Sequence, residues 1–147
     1  IYGLTKGQVS PTSPMGMKSG TSPYGNIARP LNPTTLALAY GATFVARTFS
    51  RERDMVSDLI TRAIQHKGFS FIHDLSPCVV FNKDVTYDSV NSVTAQLPEE
   101  HDILDRSNAM SLAESTEPVY QGLFFQEKIP SFDDHVKQVK DGLNKSD

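Results

Sequence analysis

Residues 42–75 read ATFVARTFSRERDMVSDLITRAIQHKGFSFIHDL, and this stretch decides the fold class. Residues 42–49 are apolar and rich in Thr, Val and Phe, side chains that suit an enclosed pleated strand. Polar residues then open a helix. Ser50 is placed to cap it, and Glu52 and Asp54 put negative charge at its positive end. Met55, Val56, Leu59, Ile60, Ala63 and Ile64 recur at helical spacing, and Lys67-Gly68 ends the run. Residues 69–75, FSFIHDL, return to strand. Two apolar strands joined by an amphipathic helix predict a parallel crossover and an α/β fold with a mainly parallel sheet. Arg47 closes the first of these strands, where it either faces a site or packs on a neighbouring helix.

Toward the N-terminus, NPTTLALAYG predicts a short helix. Asn32 caps it, Pro33 suits the first helical position, Leu36, Ala37 and Tyr40 form its apolar face, and Gly41 stops it. Residues 1–33 hold five prolines (Pro11, Pro14, Pro23, Pro30, Pro33) and five glycines (Gly3, Gly7, Gly16, Gly20, Gly25), which predict a long loop rather than a helix after the opening strand, over residues 10–33. Loops this long in a compact domain are commonly functional, and Met15, Met17 and Tyr24 argue against a disordered linker. The opening IYGLTKGQVSPTSP reads as a strand end running into that loop. It lacks both the glycine spacing and the following helix of a phosphate-binding P-loop.

Toward the C-terminus the pattern weakens. A poor helix is predicted over 86–97 and a better one over 102–115, with Ile103, Leu104, Met110 and Leu112 as candidate core. VYQGLFFQEKIP predicts a further strand. Ser131 is placed to cap a terminal helix that carries Phe132, Val136 and Val139, and the last six residues are expected to fray.

The chain has 147 residues, a formal net charge of −3 and no long apolar run. These values predict no general nucleic-acid-binding surface and no membrane-spanning helix. The single cysteine, Cys78, excludes an internal disulfide and fits a reducing compartment, so a cytoplasmic location is expected. Cys78 follows Pro77 at the C-terminal end of a predicted strand, where α/β proteins place their sites; a small inert core residue is the other reading. His66, His73, His101 and His135 show no metal-ligand spacing. His66 falls at a helix C-terminus, where the dipole favours its charge, and EEHD at 99–102 marks a solvated loop.

Several blocks carry a family resemblance: YGLTKGQVSPT (2–12), SPYGN (22–26), RPLNP (29–33), GATFVAR (41–47), HKGFSFI (66–72) and SPCVVFN (76–82). Looser blocks are HDILDRSNAMSLAES (101–115) and GLFFQEKIPSFDDHV (122–136). Together they resemble the β subunit of the 2-oxoacid:ferredoxin oxidoreductases, most closely the 2-oxoglutarate type. The resemblance implies a thiamine-diphosphate-binding fold, with residues 1–83 as the C-terminal part of that domain and 84–147 as a C-terminal extension belonging to the β subunit. It implies CoA-dependent oxidative decarboxylation of a 2-oxoacid, with electrons passed through [4Fe–4S] clusters to ferredoxin. An α subunit is implied as the structural partner.

The same resemblance assigns roles to residues. The backbone carbonyl of Ile1 would be a Mg²⁺ ligand, completing a shell of oxygen ligands. Gly3, Leu4 and Thr5 would lie against thiamine diphosphate, with Leu4 also shaping the substrate pocket. Lys6 would sit at the mouth, attracting a carboxylate substrate or ferredoxin. Leu4 and Lys6 stand where pyruvate-specific relatives carry Asn and Gly, which points to 2-oxoglutarate or to broad 2-oxoacid use. Cys78 would be the fourth thiolate of a [4Fe–4S] cluster, and the loop at 10–33 would cover the cofactor. In the family a GDG segment and an Asn precede the position of Ile1. Without them the chain is expected to be a C-terminal half, incomplete for both metal sites and inactive alone. The rival expectation is a non-catalytic half-subunit or structural remnant.

Overall fold

The structure is a computed structural model that describes residues 7–80 and 82–143. The strand end expected at residues 1–6, and most of the tail expected to fray, lie outside the described residues. Helices and strands follow in the order α1 (Pro33–Ala39), β1 (Phe44–Phe49), α2 (Arg53–Gln65), β2 (Ser70–Leu75), α3 (Tyr87–Val93), β3 (Thr94–Gln96), α4 (Arg106–Glu114), β4 (Val119–Gln126) and α5 (Phe132–Leu143). The strands form one sheet in the order β2-β1-β4-β3. β1–β2 and β3–β4 are parallel, as the strand–helix–strand pattern predicts; the central β1–β4 seam is antiparallel.

Every residue of β1 is buried, because neighbours flank it on both edges and helices cover both faces. On one face Val45 packs with Ala37 and Leu38 of α1, Ala109 and Ala113 of α4, and Phe125. On the other, Phe44 and Ala46 pack with Leu59 of α2 and Leu123. The β1–β4 register runs Val45↔Phe125 and then Ala46↔Leu123, so Phe124 is the extra residue of a β-bulge. That extra residue breaks strict alternation, and Phe124 and Phe125 enter the same core cluster.

The helix boundaries follow local chemistry. Asn32 caps α1 as expected, its Oδ1 accepting from the backbone N–H of Thr34 and Thr35. The buried face of α1 differs from the one predicted. Leu36 and Tyr40 are exposed, whereas Thr34 is fully buried because a polar network beneath α1 takes its hydroxyl. Ser50 is not the cap of α2. Its backbone N–H still bonds Leu75 O of the β2 edge, and the helix starts after Glu52, which makes no side-chain cap bond. Thr86 caps α3 through a reciprocal bond with Ser89. The predicted helix over 86–97 ends at Val93, where Thr94–Gln96 leave it to pair with Val119–Gln121. Gly68 (φ +147°) is required by its surroundings, because a Cβ there would collide with Thr43 Oγ1 and crowd His66.

Candidate functional site

The carboxyl ends of β1 and β2 carry a polar layer. The parallel register sets Arg47 beside His73 and Thr48 beside Asp74. Thr48 Oγ1 donates to Asp74 at 2.7 Å. Arg47 does not end its strand; it lies within β1, only 3% exposed. Its Nε donates to Thr34 Oγ1 (3.2 Å), and one terminal nitrogen donates to Tyr120 O (3.2 Å). The other terminal nitrogen reaches Ala113 O (3.0 Å) and Asn32 Oδ1 (3.3 Å). The guanidinium also lies 5.2 Å from the ring centre of Phe124. Among the described residues no carboxylate pairs with it. Burial lowers its pKa to about 10, so the group remains charged at neutral pH. Carbonyl dipoles, one of them at the negative C-terminal end of α4, offset that charge. Of the two readings of Arg47, packing under α1 and α4 is the one found.

Asn32 joins the same clamp. Its Nδ2 donates to Ala113 O at 2.7 Å while its Oδ1 caps α1 and accepts from Arg47. Thr34 Oγ1 accepts from Arg47 and also hydrogen-bonds His73 Nδ1 at 3.2 Å. Burial beside the Arg47 charge keeps the His73 imidazole neutral at pH 7. Its pKa falls to about 4, first through burial and then through the Arg47 charge, with Asp74 opposing. Sequence reasoning missed Thr34, His73 and the second role of Asn32. The available signal was a pair of threonines on an otherwise apolar short helix.

The loop before α1 is organised by its own hydrogen bonds. Asn26 Nδ2 donates to Ser13 O (2.9 Å), the Gly16 N–H bonds Asn26 O (2.7 Å), and Leu31 N closes the base on Pro11 O (2.8 Å). Ser10, Thr12 and Ser13 form a hydroxyl cluster, and Ser13 is buried. Tyr24 and Ile27 stand almost fully exposed at 98% and 92%. Such a loop is built rather than loose, yet it presents apolar side chains outward.

Ser76-Pro77 carry the chain from β2 to Cys78, which is half-buried, and Cys78 O accepts from Asn82 N at 3.0 Å to close a turn. The remaining sequence-predicted site residues, Ile1, Gly3, Leu4, Thr5 and Lys6, lie outside the described residues. Among the described residues no three His, Cys, Asp or Glu side chains converge to hold a metal. His101 is a fastener: its Nε2 donates to Phe124 O (2.8 Å), and its Nδ1 accepts from Asn108 (3.2 Å). His66 sits at the end of α2 but is not drawn toward charge. It bonds Thr43 Oγ1 (2.8 Å), and burial together with Lys128 lowers its pKa.

Two sequence models of known families match consecutive parts of the chain. Residues 1–73 match the C-terminal thiamine pyrophosphate-binding domain of thiamine pyrophosphate enzymes. Residues 78–141 match the C-terminal region of the pyruvate ferredoxin oxidoreductase β subunit. Along nearly its whole length the chain is similar to β subunits of the 2-oxoacid:ferredoxin oxidoreductases. The 2-oxoglutarate synthase subunit KorB of Methanocaldococcus jannaschii is 33% identical, over 97% of this chain and 53% of its own length. Its counterpart in Archaeoglobus fulgidus is 31% identical, over 95% of this chain and 49% of its own. A solved 2-oxoglutarate:ferredoxin oxidoreductase from Magnetococcus marinus, with 2-oxoglutarate, coenzyme A and succinyl-CoA bound, superposes with a TM-score of 0.93 at 38% identity. That match covers 98% of this chain and 50% of the other. The chain thus spans about half the length of these family members. Ile1–Lys6 fall within the thiamine pyrophosphate match, and Cys78 is the first residue of the β-subunit match.

Proposed function

We propose that this chain works within the β subunit of a 2-oxoacid:ferredoxin oxidoreductase that acts on 2-oxoglutarate, is CoA-dependent and passes electrons to ferredoxin. The observation that carries the reading is the match to a 2-oxoglutarate enzyme along 98% of the chain, at 38% identity and a TM-score of 0.93. Within that subunit, residues 1–83 are the C-terminal part of the cofactor domain and 84–147 its extension. The assembly is cytoplasmic and includes an α subunit. Among the described residues no helix is long and apolar enough to cross a membrane.

Bound thiamine diphosphate supplies the carbanion chemistry of decarboxylation. Gly3, Leu4 and Thr5 are assigned to its surface, the Ile1 carbonyl to Mg²⁺, and Leu4 and Lys6 to substrate or ferredoxin. The residues of this chain do not by themselves fit a [4Fe–4S] cluster. Such a cluster takes four thiolates, and the chain has one cysteine. Cys78 is assigned one of the four positions, the other three coming from sequence outside this chain. What the described residues supply is a support: the Arg47 clamp fixes the start of α1 and, through it, the base of the loop assigned to cover the cofactor.

The test is reconstitution of the assembled enzyme, read as 2-oxoglutarate- and CoA-dependent ferredoxin reduction. Cys78→Ser is expected to abolish ferredoxin reduction and alter the iron–sulfur signal in electron paramagnetic resonance. Thiamine diphosphate binding, followed by titration, should persist. Unchanged cluster spectra in Cys78→Ser would refute the thiolate assignment. Absence of 2-oxoacid turnover in the fully loaded assembly would favour a non-catalytic structural chain.

A further inference from the structure

Of residues 8–32 only Ser13 is buried, so apolar packing is not what shapes the loop before α1. One side chain does most of that work. Residues 13–17 and 25–28 run as two legs, and Asn26 joins them through both its backbone and its amide. Its N–H donates to Met17 O (2.9 Å), and its carbonyl accepts from Gly16 N–H (2.7 Å). Its Nδ2 donates to Ser13 O (2.9 Å), with Pro14 O and Ala28 O each at 3.3 Å. Its Oδ1 accepts from Ala28 N–H at 3.2 Å. Beside it Gly25 (φ +100°) lets the legs touch backbone to backbone, because a Cβ there would stand 3.0 Å from Gly16 O.

The rest of the loop is closed at both ends. At the tip, Ser19 and Ser22 exchange backbone bonds (3.2 and 3.1 Å), and at the base Leu31 N–H donates to Pro11 O (2.8 Å). Asn32 then carries the second leg into the core, bonding Ala113 O and Arg47. A loop that swings open needs free hinges. Here the glycines that would serve as hinges are spent on closure: Gly16 donates to Asn26, and Gly25 is packed on Gly16. Asn suits the central place because one short side chain both donates and accepts. A loop already ordered before a ligand arrives draws none of its ordering cost from binding.

We propose that Asn26 is a positioning residue that locks residues 13–28 into a preformed strap, a standing wall of the site rather than a lid that orders when ligand binds. Its effect on binding rests on the assignment of this loop as the cover of thiamine diphosphate.

Hydrogen–deuterium exchange of the assembled enzyme, with and without thiamine diphosphate, tests the strap, and a titration of thiamine diphosphate tests its use. Residues 13–28 are expected to show the same protection in both states. Asn26→Ala should speed their exchange about tenfold, leave β1 unchanged as proof of an intact fold, and weaken thiamine diphosphate about tenfold, since binding must then order the loop. Gly25→Ala, which crowds the second leg against the first, should act in the same direction. Rapid exchange of residues 13–28 without the cofactor, or no change in Asn26→Ala, would overturn the lock and leave the assignment of the loop untouched. Faster exchange in Asn26→Ala with unaltered affinity would overturn the positioning role and, with it, the assignment of this loop to the cofactor.

Discussion

β1 and α5 place comparable apolar side chains in opposite situations. In β1, neighbouring strands and helices enclose every side chain, and even the charged Arg47 is taken in and bonded through all three of its nitrogens. In α5 no residue is buried, Phe132, Val139 and Leu143 are exposed, and Asp134 bonds Lys67. The same hydrophobic effect acts on both, but only β1 is enclosed on every side. Intramolecular stability should therefore concentrate at the sheet. The largest expected effect tests this directly. Phe124→Ala, at the bulge under Arg47, should cost about 3–5 kcal/mol in chemical denaturation. Phe132→Ala on the exposed α5 should stay within about 0.5 kcal/mol. Equal costs would dissolve the contrast.

Next comes acid. His73 has a pKa of about 4 in the fold against 6.5 unfolded. Its contribution to stability is therefore fully present above pH ~6.5 and is lost as pH falls toward ~4, because the unfolded chain takes up the proton first. The loss is on the order of 3 kcal/mol at most. His73→Asn should flatten this part of the stability–pH curve, measured as urea midpoints between pH 7 and 4. An unchanged slope would mean that His73 is more open to water than its place between Arg47 and Thr34 implies.

A smaller effect is expected at Gly68→Ala. The positive φ and the collision with Thr43 Oγ1 act together, and about 1–3 kcal/mol should be lost. Much of that loss should return in the Thr43→Ser background only if the γ-methyl, rather than the hydroxyl contact, is what resists movement. If instead Thr43→Ser leaves the cost intact, the hydroxyl bridge to His66 is the rigid element.

The order of elements was largely legible because the chain obeys local rules: Asn32-Pro33 opens a helix, Lys67-Gly68 closes one, and Ser131 bonds its own helix start. What was not legible depended on partners distant in sequence. Thr34 is buried and Leu36 exposed because Arg47, on the next strand, offers a donor that a hydroxyl can accept and an aliphatic side chain cannot. Thr94–Gln96 form a strand because β4 presents an open edge, a fact absent from the local pattern. The antiparallel β1–β4 seam was hidden for the same reason. For the candidate site, Cys78 and the end-of-strand setting could be read from sequence, whereas the polar layer beneath it could not. That layer is made of single residues from α1, β1, β2 and α4, which no spacing connects.

The smallest effect on global stability should come from the fastening of α5 itself. Lys67 and Asp134 meet at 2.8 Å, and hydrogen bonds from Lys67 and Ser131 hold the Asp134 carboxyl well below the usual carboxylate range. The Lys67 side chain is largely exposed, however, and exposed ion pairs contribute little to the folded state. Lys67→Met should leave the melting temperature nearly unchanged while accelerating amide hydrogen exchange across Phe132–Leu143 and not across β1. That separation is the signature of a helix whose attachment is local. If Lys67→Met instead lowered protection in β1 as well, the bridge would be coupled to the sheet, and α5 would have to be counted as part of the same cooperative unit.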